Sequence, residues 1–235
     1  MIFLPSLLEY NPTELTHKLK LITQNIKSFL RLQQSEEIIN LHLDFVLPEF
    51  AKSRGVKPSN DIQTVFELLE KQFDQQHLNL SIHLMATWED MEDNEDLISF
   101  LANWGFDQPD FEGTVFVDNE QLEFIDYLPE ISNFKCGTWL DLGTWQEYNF
   151  EPKQNYLLMT VIAGQSGQKL DSNIADKALN IATNNRESNF IFDGGWSVSN
   201  ELPTDLSNVD IVSYSSFWTQ FQVEIEKKIH KQKSP

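Results

Sequence analysis

The chain carries a single cysteine, Cys136, in 235 residues. No disulfide can form within it, and a Cys-rich structural zinc site is excluded by the same count; a reducing cytoplasm suits such a protein. Nowhere does it reach the roughly 18 consecutive apolar residues of a membrane-spanning helix. The opening MIFLPSLL is apolar, yet no basic residue precedes it and Pro5 interrupts it, so it is read as a first buried strand rather than a signal peptide or an anchor. Basic residues are also scarce. Lys and Arg number 17 against 36 Asp and Glu, a net charge of −19, and none occurs between Lys71 and Lys135. That balance opposes nucleic acid and anionic membrane as partners. The acidic stretch from Glu89 to Glu130 reads as a solvated face. An anionic substrate would therefore depend on local backbone N–H groups and helix N-termini rather than long-range attraction. No G-x-G-x-x-G follows the first strand, which disfavours a doubly wound dinucleotide fold. G-x-S-x-G is missing too, so Ser166 is not read as a hydrolase nucleophile.

What the chain does have is an even spread of hydrophobic residues, 40% of the total, arranged in a repeating rhythm. Short β-type runs fall at Ile2–Pro5, Ile39–Phe45, Leu80–Met85, Thr114–Val117, Phe134–Leu140, Tyr156–Val161, Asn189–Asp193 and Asp210–Ser213. Between them lie helical patterns at Thr13–Leu32, Ile62–Phe73, Leu97–Trp104, Gln121–Leu128, Ile174–Ala182 and Phe217–Ile229. The links after the fifth and seventh runs are only weakly helical. Asn11-Pro12 supplies a cap and a first-turn proline for the first helix. Eight such units close most naturally into one (β/α)8 barrel, a single domain over residues 1–235, with the active site at the C-terminal strand ends. His17, His77 and His230 fall on or beside helices and read as surface residues.

Several strands end in polar residues. Within a strand, residues two apart face the same way, so His42 and Asp44 share a direction opposite to Leu41, Leu43 and Phe45. His83 and Met85 repeat the arrangement, and Phe190-Ile191-Phe192 ends in Asp193-Gly194-Gly195. Buried His–Asp hydrogen bonds that satisfy the core would produce the same pattern. Together, though, His42, Asp44, His83 and Asp193 make a set of two imidazoles and two carboxylates, suited to one Zn²⁺, Fe²⁺, Mn²⁺ or Co²⁺ per chain rather than Mg²⁺ or Ca²⁺. After the sixth run, Gly164-Gln165-Ser166-Gly167 forms a small-residue loop able either to bring backbone amides to an oxyanion or simply to link two elements.

Pro5-Ser6-Leu7-Leu8, His42-Leu43-Asp44, His83-Leu84-Met85, Met159-Thr160-Val161, the Gly164–Gln168 loop and Asp193-Gly194-Gly195 occur in the order and spacing of a known family. In these motifs the chain resembles the ribulose-phosphate 3-epimerases over nearly its whole length. The resemblance implies that His42, Asp44, His83 and Asp193 bind the metal, with Asp44 and Asp193 also serving as catalytic acid and base. It further implies that Ser6, His83, the Gly164, Gln165, Ser166 and Gly167 loop, Gly194, Gly195, Tyr214 and Ser215 meet a sugar phosphate, with Met85 and Met159 beside the reacting centre. The expected reaction is interconversion of D-ribulose 5-phosphate and D-xylulose 5-phosphate. The chain departs from the family where Val46-Leu47-Pro48 replaces Met-Asp-Gly, where Ala163-Gly164-Gln165-Ser166-Gly167 replaces Pro-Gly-Phe-Gly-Gly, and where Tyr214-Ser215 replaces Gly-Ser. Another ketose phosphate, or a catalytically idle barrel with a binding or regulatory role, remain the alternatives. Oligomeric state stays open between a monomer and a homo-oligomer.

Overall fold

Alternation of buried runs with amphipathic segments produces a parallel sheet with helices between many of its strands. The computed structural model describes residues 3–7, 11–59, 61–73, 77–93, 95–107, 111–126, 130, 133–141, 156–160, 172–193, 209–212 and 214–233. The strands are β1 (Phe3–Leu4), β2 (Ser6–Leu7), β3 (Ile39–Val46), β4 (Leu78–Met85), β5 (Phe111–Asp118), β6 (Phe134–Asp141), β7 (Tyr156–Thr160), β8 (Asn189–Asp193) and β9 (Val209–Val212). The helices are α1 (Pro12–Gln24), α2 (Ile26–Gln33), α3 (Pro48–Arg54), α4 (Ile62–Phe73), α5 (Trp88–Asp93), α6 (Glu95–Asp107), α7 (Ser172–Asn184) and α8 (Tyr214–Lys233), with a 3-10 turn at Asn119–Phe124.

Spatial order runs β1-β9-β8-β7-β6-β5-β4-β3-β2, with neighbours parallel throughout. β1 and β2 flank Pro5, which lacks an N–H and so cannot donate to a ladder. Its carbonyl still accepts from His42 N at 3.0 Å. Phe3–Leu4 thus pairs with β9 and Ser6–Leu7 with β3.

Register sorts the two faces. One row runs Leu43, Ile82, Val115 and Cys136, all buried in the main apolar cluster between sheet and helices. The adjacent row runs Asp44, His83, Phe116 and Gly137 on the other face. There Leu4, Phe116 and Ile191 form a smaller apolar cluster with Trp139 packed against it. Gly137 leaves room for this layer, since a Cβ there would come within 2.5 Å of the Phe116 ring. On the helix side, Phe29 of α2 meets Phe217 and Phe221 of α8 edge-on at 5.4 and 5.2 Å. Burying each of these rings stabilises the fold by a few kcal/mol, and truncation to alanine costs about 3–5 kcal/mol. The C-terminal helix is thereby fastened to the start of the chain.

The strands overlap the expected runs, with Ser6–Leu7 added after the first one and Val161 and Ser213 outside the described residues, and Asn11 caps α1 by accepting from Thr13 N at 2.9 Å. The helices differ in detail. The pattern over Thr13–Leu32 divides at Asn25, whose side-chain amide donates to Leu21 O at 3.1 Å while its N–H reaches back only to Ile22 O. An asparagine side chain competing for backbone groups in this way ends a helix. Over its described part, the expected helix Gln121–Leu128 gives way to the tighter turn Asn119–Phe124, started by Asp118 accepting from Glu120 N at 3.0 Å; residues 127 and 128 lie outside the described residues. α3 and α5 are additional short helices that carry the chain away from β3 and β4. The two weakly helical links fall on residues 142–155 and 194–208, outside the described residues. Among the described residues, no helix is long and apolar enough to cross a membrane.

Candidate metal centre

Parallel pairing in register brings polar residues from separate strands side by side. β2 and β3 pair Ser6 with His42, while β3 and β4 pair His42 with Ser81 and Asp44 with His83. Asp193 arrives from the end of β8, about 110 residues further along than His83, next to Thr160 of β7. Four ligand-type atoms, one each from His42, Asp44, His83 and Asp193, lie within 4.8 Å of one another. His42 Nε2 and His83 Nδ1 both approach Asp44 Oδ1, at 3.1 and 3.2 Å. Both also stand 4.0 Å from Asp193 Oδ2. Ser6 Oγ donates to the other oxygen, Asp44 Oδ2. His42, Asp44 and His83 are buried, whereas the Asp193 side chain is 16% exposed, so the cluster opens on the Asp193 side.

Both carboxylates draw positive charge to this point. Burial opposes a charged His42, but the adjacent Asp44 carboxylate, its hydrogen bond and the more distant Asp193 outweigh that and raise the imidazole pKa above its ordinary value. Burial likewise pushes Asp44 up, yet His42 and His83 more than reverse it and hold the carboxyl well below the usual range. A proton between imidazole and carboxylate and a metal cation among all four groups answer the same attraction. Ligand atoms about 2.1 Å from a tetrahedral ion are about 3.4 Å apart; two separations here, 3.1 and 3.2 Å, are close to that, two are about 0.6 Å longer and the whole set lies within 4.8 Å, so the groups would draw together around an ion. His42, Asp44, His83 and Asp193 therefore form a buried cluster that could hold a metal ion.

The remaining expected residues divide into three groups. Ser6 is brought to the cluster through Asp44, and its carbonyl accepts from Trp218 Nε1 of α8 at 3.0 Å. Met85 ends β4, two register rows beyond His83 and beside Val46. Met159 lies on β7 in the row of Leu140 and Phe192; Thr160, not Met159, is the residue paired with Asp193. Tyr214 and Ser215 open α8, with side chains outside the described residues, as are Gly164, Gln165, Ser166, Gly167, Gly194 and Gly195 entirely. His17 and His77 are exposed, as expected. Cys136 is buried, with its thiol donating to Ile125 O at 2.7 Å.

Three residues near the site escaped the sequence reading. Ser81 places its hydroxyl 2.8 Å from His42 Nδ1, and the two-residue alternation that selects His83 selects it too. Trp139 stands beside His83 with ring centroids 5.2 Å apart, a neighbour visible only once strand register is known. Asp90 ties the loops after β3 and β4 together through four hydrogen bonds, and Thr87-x-x-Asp90 is a legible capping box.

Compared with known proteins, the chain matches no family model and no curated protein sequence.

Proposed function

We propose that the protein is a metal-dependent epimerase of ketose phosphates, built on a (β/α)8 barrel, that inverts C3 of D-ribulose 5-phosphate to give D-xylulose 5-phosphate. Barrel closure is supported by the two-sided pairing of residues 3–7, with β9 through Phe3–Leu4 and with β3 through Ser6–Leu7. The observation that carries the chemistry is the meeting of two carboxylates and two imidazoles within 4.8 Å at the C-terminal ends of β3, β4 and β8.

His42, Asp44, His83 and Asp193 would hold one Zn²⁺, Fe²⁺, Mn²⁺ or Co²⁺. When bound, that ion supplies Lewis-acid stabilisation of the negative charge that builds on the substrate oxygens as the C3 proton leaves. The residues do the proton work. One aspartate carboxylate takes the proton from C3, and the other, carrying a proton, delivers it to the opposite face of the planar carbon. C3 is inverted, one C–H bond is broken and one formed, and the two carboxyls exchange protonation states, ready for the reverse reaction. Asp44 is kept ionised by His42 and His83, as a base must be. Ser6 fixes the Asp44 oxygen turned away from the histidines. With no Lys or Arg in the Gly164–Gly167, Gly194–Gly195 or Tyr214–Ser215 segments, phosphate would rest on backbone N–H groups, including those of the first turn of α8, which lack intrahelical partners.

A second reading keeps the chemistry and changes the sugar. It is favoured by the indole of Trp139, packed 5.2 Å from His83, and by α3 (Pro48–Arg54), which begins where the family pattern has Met-Asp-Gly. Coupled assays of metal-reconstituted protein on several ketose 5- and 6-phosphates separate the two. Turnover of ribulose 5-phosphate supports the first reading, turnover of a different ketose phosphate the second, and turnover of none contradicts both and leaves a binding or regulatory barrel.

A further inference from the structure

His42 has two ring nitrogens, and the site uses both. Nε2 faces Asp44 Oδ1 at 3.1 Å and Asp193 Oδ2 at 4.0 Å, which makes it the nitrogen turned towards a cation. Nδ1 points the other way, 2.8 Å from Ser81 Oγ. An imidazole can offer an Nε2 lone pair only if its proton sits on Nδ1, and that N–H is buried, because His42 is fully enclosed. It needs an acceptor there. The hydroxyl of Ser81, itself buried, is the group in position.

A hydroxyl accepting from Nδ1 must send its own hydrogen elsewhere, and the structure provides the place. Ser81 also lines a cavity of about 280 Å³ on the side of the strands away from Asp193. Asn40, Asn79, Glu112 and Lys135, each the second residue of its strand, line the same cavity, as does Thr114. Such a lining is polar enough and the space large enough for water. Ser81 therefore stands between two polar regions, the cluster on one side and the cavity on the other. His83 is held differently: its Nδ1 faces the carboxylates, and its Nε2 has no hydrogen-bond partner among the described residues.

We propose that Ser81 is a positioning residue of the metal centre: it accepts the Nδ1–H of His42, fixing the ring and the tautomer that present Nε2 to the metal, while its own O–H turns into the polar cavity. The proposal rests on the metal-binding reading of the cluster. Partners of this kind, one bond removed from the ion, typically change metal affinity by about 10–100-fold when removed.

Zinc affinity measured by chelator competition on wild type, Ser81→Ala and Ser81→Thr tests it, with ¹⁵N NMR of the zinc-loaded histidines as a second readout. The expected result is about 10–100-fold weaker zinc binding by Ser81→Ala, binding close to wild type by Ser81→Thr, and a slowly exchanging His42 Nδ1–H in wild type and Ser81→Thr only. Circular dichroism and thermal unfolding establish that Ser81→Ala is folded; an unfolded variant would transfer the test to the threonine variant and to the wild-type NMR signal. Zinc binding by Ser81→Ala equal to wild type overturns the role of Ser81 while leaving the metal site standing. Wild-type zinc bound with Nε2–H rather than Nδ1–H on His42 overturns it as well. Absence of zinc binding by wild type overturns the metal site, and the role of Ser81 with it.

Discussion

Removing the Asp90 carboxylate should loosen the top of the sheet at the two strands that carry three of the four cluster residues. Asp90 is only 2% exposed. Its Oδ1 accepts from Glu49 N at 2.8 Å, while its Oδ2 accepts from Phe50 N at 2.8 Å, Thr87 N at 2.9 Å and Thr87 Oγ1 at 3.0 Å. One carboxylate thus satisfies first-turn donors of α3 and closes a capping box with Thr87 at the start of α5, whose Oγ1 accepts in return from Asp90 N at 3.2 Å. Asp90→Ala leaves three backbone N–H groups without their acceptor. Each costs about 1–3 kcal/mol if wholly deprived of water; since this region is only partly buried, a total near 3 kcal/mol is expected, at the upper end of ordinary substitutions. For a chain of this size that lowers Tm by about 6–12 °C. Asp90→Asn keeps one acceptor oxygen and should lose about half as much.

The acid limb of the stability curve gives an independent check. Burial raises the Asp90 pKa, but the N–H groups of Thr87, Glu49 and Phe50 and the Thr87 hydroxyl outweigh it and hold the carboxyl below its ordinary value. A group with a lowered folded pKa contributes stability above the unfolded value of about 3.9 and loses it as pH falls through the folded one. Urea unfolding of wild type and Asp90→Asn should therefore show a stability gap that is constant above about pH 5 and closes as pH falls below about 4. A loss under about 0.5 kcal/mol for Asp90→Ala, the range of an unremarkable surface change, would refute the reasoning. So would a gap that does not change with pH.

Two further outcomes are expected. Gly137→Ala puts a Cβ within 2.5 Å of the Phe116 ring and should destabilise the protein by about 1–3 kcal/mol in thermal unfolding, with recovery when Phe116→Leu is added; no loss would mean the layer beneath the cluster is not tightly filled. Metal-loaded Asp193→Asn should exchange the C3 hydrogen of one epimer with solvent deuterium without inverting it, as followed by proton NMR in D2O. Inversion at the wild-type rate would exclude Asp193 as an obligatory acid or base.

Buried strands were legible because a run such as Ile39 to Phe45 is apolar on alternate residues, the two-residue period of a strand. The same alternation picked out His42 with Asp44, and it reaches Ser81 equally well, two residues before His83. What periodicity could not supply was anything shorter than two helical turns: α3 has seven residues and α5 six, too few to establish a 3.6-residue period. α5 could still have been found from Thr87 and Asp90, because capping is a local signal. The break at Asn25 reflects a side chain taking a backbone acceptor inside an otherwise sound amphipathic pattern. Trp139 and the pairing of Thr160 rather than Met159 with Asp193 depend on register between strands, which no single strand encodes.

Metal content tests the central claim most directly. Wild type, incubated with zinc or manganese and freed of unbound ions by gel filtration, should retain about one equivalent per chain, as expected for two imidazoles and two carboxylates. The His42→Ala/His83→Ala variant, with wild-type circular dichroism, should retain almost none. A wild type that holds no metal, or a folded double variant that holds as much as wild type, would contradict the account.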